Sequence, residues 1–236
     1  MDFTIVIPVF NEEESIRALL DEISESVSKY SFEIVVVDDC SSDTTLEVLS
    51  QSKNSLENLR VISHDQNLGQ SSAIHTGVSN AKSNWIVTLD GDGQNDPKDI
   101  SSLFHKIQEI NNDQLMIAGH RVVRKDNWLK RFSSKYANKI RRKILNDDIP
   151  DTGCGLKIFS RDMFLKLPFF DHMHRYIPAL FRSYGGQVLS IPVNHRQREK
   201  GSSKYGFSNR FWVGIIDLIG VKWLQKRSKI VTYKEK

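Results

Sequence analysis

A chain of 236 residues, 39% hydrophobic and 26% charged, has the composition of an ordinary folded protein and the length to bury one full core. Its formal charge of +4 favours anionic partners, and it is unevenly spread: the first 120 residues are acid-rich, whereas 121–143 and 222–236 are strongly basic. Two cysteines, Cys40 and Cys154, exclude a disulfide framework and suit a reducing compartment, and no apolar run reaches the roughly eighteen residues of a spanning helix. Met1 leads through Asp2 straight into a strand-like run, so no secretory signal is expected.

The first element, "FTIVIPVFN", reads as a buried strand ending at Pro8. Asn11 is the expected N-cap of a helix whose first turn holds glutamates and whose apolar residues Ile16, Leu19, Leu20, Ile23 and Val27 recur at helical spacing. "FEIVVVDD" is a second apolar strand, "SSDTTLEVLSQ" opens a second helix, and "LRVISHD" is a third strand. A loop then enters a helix over "NLGQSSAIHTGVSNAK", and "NWIVTLDGDGQ" is a fourth strand. Next come a helix at "PKDISSLFHKIQEI", a strand at "QLMIAGH", a basic helical stretch, and a late strand in "GGQVLSIPVNHRQR". Strands alternating with helices across short connections predict parallel pairing with right-handed crossovers, and runs apolar on both faces predict central strands. Ligands of such sheets sit at the carboxyl ends of the strands. That rule brings Pro8–Glu12, Asp38 with Asp39, and Asp90–Gln94 toward one crevice.

The stretch "TLDGDGQNDP" crowds three aspartates, two glycines and a proline behind an apolar strand. Such residues make turns. Two carboxylates one residue apart also suit a divalent cation that holds a phosphate. The local pattern leaves both readings open.

Six segments, "IVIPVFNEEESI", "EIVVVDDCSSDTT", "NLGQSSAIHTG", "LDGDGQNDP", "DTGCGLKIF" and "RQREKGSSKYG", resemble in order and spacing the family 2 glycosyltransferases, nearest the dolichol-phosphate mannose synthases and their bacterial polyprenyl-phosphate relatives. The likeness runs from residue 2 to about 224. It implies an α/β fold of the GT-A type, with a mostly parallel central sheet flanked by helices, over 1–208, followed by an amphipathic interfacial helix and basic tail over 209–236. Asp90 and Asp92 match the family's D-x-D, which binds Mg²⁺ or Mn²⁺ and through it the diphosphate of a nucleotide sugar; Gln94 matches a position that helps hold the metal. Gly91 keeps the backbone close to the ligand. Asp39 matches the acid that hydrogen-bonds the base, while Asp38 equally suits a partner of the following turn. Cys40 stands where the family usually has glycine. Pro8, Phe10, Glu12 and Val37 match positions lining the nucleotide pocket.

Arg121 and Arg131 match arginines that meet phosphate groups, and Arg198 with Lys204 matches R-x-x-G-x-S-K, read as a loop closing over phosphate. Asp151, Gly153 and Gly155 match a segment near the acceptor, and His174 and Arg175 fall in the region of acceptor-facing residues. The activity implied is inverting transfer of one sugar from GDP-mannose or a UDP-hexose to a polyprenyl or dolichyl phosphate. Alternatives are transfer to a glycan or protein hydroxyl, which needs a general base, and a non-catalytic membrane-associated scaffold. The expected location is cytoplasmic and peripheral, on the cytosolic face of a membrane. Phe211, Trp212, Ile215, Ile216, Leu218, Ile219 and Trp223 circle a helix too short to span, with cations following; the pattern suits either an interfacial helix or one packed on the sheet, and the resemblance implies the interface. A small membrane-protein partner is compatible with this arrangement. A nucleic-acid partner is not expected, because the basic residues lack interleaved aromatics.

A loop that closes over phosphate serves the transition state more than the ground state. Arg198→Ala is therefore expected to lower kcat more than it weakens nucleotide binding, measured by steady-state kinetics beside calorimetry. An unchanged kcat removes Arg198 from the mechanism.

Overall fold

The computed structural model describes residues 1–122, 141–196 and 209–228, with side chains of the last helix described from 213 onward. Arg131, Arg198 and Lys204 lie outside the described residues.

Strands β1 (Phe3–Val9), β2 (Phe32–Asp38), β3 (Leu59–Ser63) and β4 (Trp85–Thr88) are joined by helices α1 (Ile16–Ser26), α2 (Thr45–Ser52) and α3 (Gln70–Asn80). Helix α4 (Asp99–Ile110) leads to β5 (Leu115–Arg121), and β6 (Lys157–Ser160) runs directly into α5 (Arg161–Leu165). A 3-10 turn (Met173–Arg175), α6 (Ile177–Ser183), β7 (Gln187–Val193) and α7 (Asn209–Arg227) complete the order. The seven strands form one sheet in the order β3-β2-β1-β4-β6-β5-β7.

The parallel half is as the alternation predicts: β1 pairs β2 from Phe3↔Phe32 to Val9↔Asp38, and β1 also pairs β4 from Thr4↔Ile86. The departure is β6, which the sequence reading did not assign to any element; it is antiparallel to both neighbours, with Thr88↔Lys157 and Ala118↔Lys157 in register.

Alternation along β1 distributes the core. Phe3, Ile5, Ile7 and Val9 pack with Ile16, Leu19, Leu20 and Ile23 of α1 and with Leu103, Phe104 and Ile107 of α4. Val6 points the other way, with Ile74 and Val78 of α3 and the buried aromatics Phe159, Phe164 and Phe181. Val35, Val37 and Ala73 form a smaller cluster on that second side.

Two local expectations are corrected. Asn11 does not cap α1, which starts at Ile16 after Ser15, and no acid sits in its first turn. Asn11 instead has φ +53°, a left-handed conformation that asparagine tolerates, and its carbonyl side chain accepts from the Ser42 amide at 2.7 Å. Glu13 accepts from the Thr44 amide at 2.8 Å, so the acids expected at the start of α1 secure the entry to α2. The strand β1 also runs one residue past Pro8.

Helix α3 lies so close to the sheet that a Cβ on Gly77 would meet Val6 Cγ1 at 2.3 Å. Gly77→Ala is expected to destabilise the fold by about 1–3 kcal/mol through overpacking, seen as a lower Tm in thermal denaturation. An unchanged Tm would show that α3 can move off β1 freely.

Candidate active site

The carboxyl ends of β1, β2 and β4 meet as the sheet rule requires, and the acidic stretch after β4 is held there from several sides. The Ser15 hydroxyl donates to the Gly91 carbonyl at 3.0 Å, and Gln94 N–H donates to Asp92 Oδ1 at 3.1 Å. A Cβ on Gly91 would meet Val9 Cγ1 at 2.7 Å, and Gly93 has φ +71°, so both glycines are demanded by packing or backbone conformation.

Asp90 is the most constrained of these acids. Gln70 Nε2 donates to its Oδ1 at 2.8 Å, and a Cβ on Gly155 would lie 2.2 Å from its Oδ2. Burial, reinforced by the Asp92 charge, pushes its pKa up to about 6, against the opposing pull of Lys157, Arg121 and Gln70. Two carboxylates in mutual repulsion are what a divalent cation would relieve. Asp90, Asp92 and the Gln94 side-chain oxygen supply hard oxygen donors of the kind Mg²⁺ and Mn²⁺ take. Among the described residues no group of three or more His, Cys, Asp and Glu side chains converges. The donor set therefore fits a metal that completes its shell with water and substrate phosphate, as Mg²⁺ sites commonly do, rather than an all-protein cage.

Behind Asp90 opens a cavity of about 310 Å³, lined by Pro8, Gln70, Thr88, residues 151–155, Arg121, Lys157 and the 3-10 turn residues His174 and Arg175. Arg121 is in it, but its guanidinium is committed: Nε donates to Asp151 Oδ2 at 2.6 Å and Nη2 to Oδ1 at 2.9 Å. The pair holds Asp151 as an occupied carboxylate rather than a free base. Lys157, missed in the sequence, is buried, donates from Nζ to the Cys154 carbonyl and feels the charge of Asp90; burial lowers its pKa. His174 Nδ1 lies 2.7 Å from the Ser71 hydroxyl, and burial with the neighbouring Arg175 charge drops its pKa to about 3, so the ring is neutral. Residues 70 and 157 stand inside the family-like segments and 174 in the expected acceptor-facing region, but only their packing in three dimensions shows them as one cluster.

The nucleotide side differs in detail from expectation. Asp38 accepts from both the amide and the hydroxyl of Ser41, so it is a partner of its own turn. Asp39 is 3% exposed and accepts from Leu68 N–H at 2.9 Å and Gly69 N–H at 2.7 Å, with His64 Nδ1 at 2.7 Å. Its carboxylate thereby pins the loop that enters α3. Glu12 receives the Ser15 hydroxyl at 3.1 Å, and its amide donates to Thr45 Oγ1 at 2.8 Å. Phe10 is partly exposed beside it at the strand end. Val37 is corrected: it is fully buried with Val35 and Ala73 under α3 and supports the crevice from below instead of lining it. Cys40 has φ +62°, which explains why glycine suits that position.

Arg196 is a second residue the sequence reading missed. Its guanidinium reaches Glu22 of α1 at 2.5 and 2.7 Å and Asp96 at 2.8 Å, and its amide donates to the Gln94 carbonyl at 2.9 Å. The end of β7 is thus clasped to the acidic loop immediately before residue 197.

The model of the family described as "Glycosyl transferase family 2" matches residues 4–167. The dodecaprenyl-phosphate galacturonate synthase of Rhizobium johnstonii is 34% identical over 233 residues, covering 96% of this chain and 68% of that protein. Among solved structures, glucosyl-3-phosphoglycerate synthase from Mycobacterium tuberculosis, in complex with Mn²⁺, UDP and phosphoglyceric acid, superposes with a TM-score of 0.69 at 16% identity over 97% of this chain and 79% of that one. TarS 1–349 of S. aureus, in complex with UDP-GlcNAc, gives a TM-score of 0.65 at 20% identity over 97% and 68%. The seven-stranded mixed sheet of this chain thus belongs to the GT-A fold that it shares with both structures. With the family match covering most of the chain and a relative above 30% identity along nearly all of it, the chain belongs to glycosyl transferase family 2 and is a glycosyltransferase.

Proposed function

We propose that the protein moves one sugar from a nucleotide diphosphate sugar to a polyprenyl phosphate, with inversion at the anomeric carbon. The observation that carries this reading is that the cavity's carboxylates and histidine are committed elsewhere: Asp90 belongs to the D-x-D pair and accepts from Gln70, Asp151 is held in a bidentate pair with Arg121, and His174 is buried and too weakly basic to take a proton near neutral pH. A hydroxyl acceptor would need such a base. A phosphate oxygen is already anionic and needs only to be positioned, with electrostatics and proximity supplying the rate. The Rhizobium relative is named for a polyprenyl-phosphate product, which agrees.

In this reading Asp90, Asp92 and Gln94 would hold Mg²⁺ or Mn²⁺, which would supply positive charge against that of the departing diphosphate. Gln70 and Lys157 keep the Asp90 carboxylate oriented and ionised, and Arg121 adds positive charge at the cavity wall while keeping Asp151 occupied. Arg131, Arg198 and Lys204 would meet phosphate from outside the described residues. Asp39 would serve the base through the loop it orders, with Pro8, Phe10 and Glu12 beside it. The donor is GDP-mannose, a UDP-hexose or, by analogy with the relative's galacturonate, a UDP-hexuronate.

Helix α7 supports a place at the cytosolic membrane surface. Ile216, Ile219 and Trp223 lie on one face, 68%, 65% and 59% exposed, and the exposed Lys226 and Arg227 follow. No helix among the described residues is long and apolar enough to cross a membrane. An apolar face backed by cations suits the interface of an anionic bilayer, alone or with a small membrane protein. The unit 1–208 would then be the catalytic domain and 209–236 its membrane contact.

The reaction is tested with purified protein, Mg²⁺ or Mn²⁺, a short polyprenyl phosphate and a panel of labelled nucleotide sugars, counting the organic phase. One sugar should enter a mild-acid-labile lipid, and Asp92→Asn should cut the rate by about 100-fold or more while the protein stays folded; full activity in excess chelator would sink the metal role. Membrane contact is tested separately. Ile219→Ser with Trp223→Ser should abolish co-sedimentation with anionic liposomes, and retained binding would assign that contact elsewhere.

A further inference from the structure

The 3-10 turn Met173–Arg175 brings two side chains to the cavity that the acidic loop and the Arg121–Asp151 pair leave unexplained. The Arg175 guanidinium makes no hydrogen bond or ion pair among the described residues, in contrast to Arg121, Arg141 and Arg196. Among the lining residues Asp90 and Asp151 offset Arg121 and Lys157, which leaves Arg175 as the further cation; outside the lining it feels the Asp217 charge without forming an ion pair. Ser71 Oγ accepts from the His174 amide at 3.2 Å and lies 2.7 Å from its Nδ1; with Ser71 donating there, the neutral ring carries its hydrogen on Nε2. Nε2 has no partner among the described residues. An N–H donor and a fixed cation therefore sit on consecutive residues at one cavity wall.

The turn that presents them does not hold itself. It is three residues long and is entered at His172 with φ +63°, a left-handed conformation that costs a histidine about 1 kcal/mol or more. Helix α7 supplies the support. His172 Nδ1 lies 3.3 Å from Asp217 Oδ2, a polar contact outside good hydrogen-bond alignment. The Tyr176 hydroxyl, kept protonated by burial and the Asp217 charge, donates to the Gly214 carbonyl at 3.2 Å. Asp217 is the one acid in the sequence of α7. Gly214, Asp217, the buried Val221 and Gln225, which donates to the Leu145 and Ala179 carbonyls, form the stripe by which the helix is docked.

We propose that Arg175 and His174 form an anion-receiving subsite for a carboxylate or phosphate oxygen of a substrate, and that Asp217 is its positioning residue, acting through His172. The subsite rests on the transfer reaction above, and its anion has two sources: the carboxylate of a hexuronosyl donor or the phosphate of the acceptor. The helix with a free apolar face is in either case joined to the turn that receives substrate.

Steady-state kinetics of the full chain would compare Arg175→Gln, Asp217→Asn and the double variant with UDP-hexose and UDP-hexuronate donors and polyprenyl phosphate. Loss of a charge-assisted contact should raise one KM by about 10- to 100-fold. A rise confined to the acceptor assigns the phosphate; a rise for hexuronate but not hexose assigns the carboxylate. Asp217→Asn should give a weaker shift in the same KM, Asp217→Glu should restore part of it, and the double variant should be no worse than Arg175→Gln. Should Asp217→Asn not fold, His172→Asn, which tolerates a left-handed φ, replaces it. Equal shifts for every substrate, or no shift, overturn the subsite, and additive effects overturn the positioning role. If the native chain transfers nothing to polyprenyl phosphate, the reaction fails by itself. The subsite is then read by calorimetric titration of inorganic phosphate and of glucuronate into the native chain and Arg175→Gln: weaker binding to the variant supports it, and equal binding overturns it.

Discussion

The arrangement depends on a balance of buried charge behind Asp90. A carboxylate at a strand end, crowded by Asp92 and by the backbone of Gly155, is tolerable only because Gln70, Lys157 and Arg121 oppose its desolvation. Lys157 in turn is acceptable inside the protein because Asp90 and the Cys154 carbonyl receive it, and Arg121 because Asp151 does. Each charge makes the next one affordable. The result is a rigid cavity wall rich in N–H donors beside two acids in repulsion, which is the electrostatic form expected where a diphosphate leaves and an anion attacks.

Much of the parallel half was legible in the sequence because its signals are local. Runs such as Ile34–Val37 have no polar face to offer, so they announce central strands, and the sheet rule then gathers Pro8, Asp39 and Asp90 at one rim. The acidic loop alone could not be told from a turn. Its register with five other motifs, and then the raised pKa of Asp90, are what support a cation-binding reading of it.

The parts that escaped reading depend on contacts between distant segments. Arg196 and Glu22 are 174 residues apart, and although Arg196 opens the segment "RQREKGSSKYG", nothing in it points to a partner in α1. Ser71 and His174 are 103 apart, so serine and histidine become partners only once α3 and the 3-10 turn are packed together. Asn11 misled for a different reason: asparagine suits both an N-cap and a left-handed turn, and here its side chain accepts from the Ser42 amide while it takes the left-handed conformation. Val37 misled because a strand residue at a crevice can face either side, and the period of two sends it beneath α3.

The reversed direction of β6 has a consequence for how the rim is populated. Every parallel strand offers the crevice only its exit, and whatever follows must then turn away into a helix. Because β6 runs the other way, its entrance lies at that same rim, level with Thr88 of β4 and Ala118 of β5. The five residues Asp151–Gly155 that approach β6 are therefore delivered into the crevice by the chain's arrival rather than its departure. Lys157, first in the strand, is carried to the cavity by ladder hydrogen bonds on both sides. One antiparallel insertion thus lets a regular scaffold, instead of a long loop, hold the wall opposite the nucleotide.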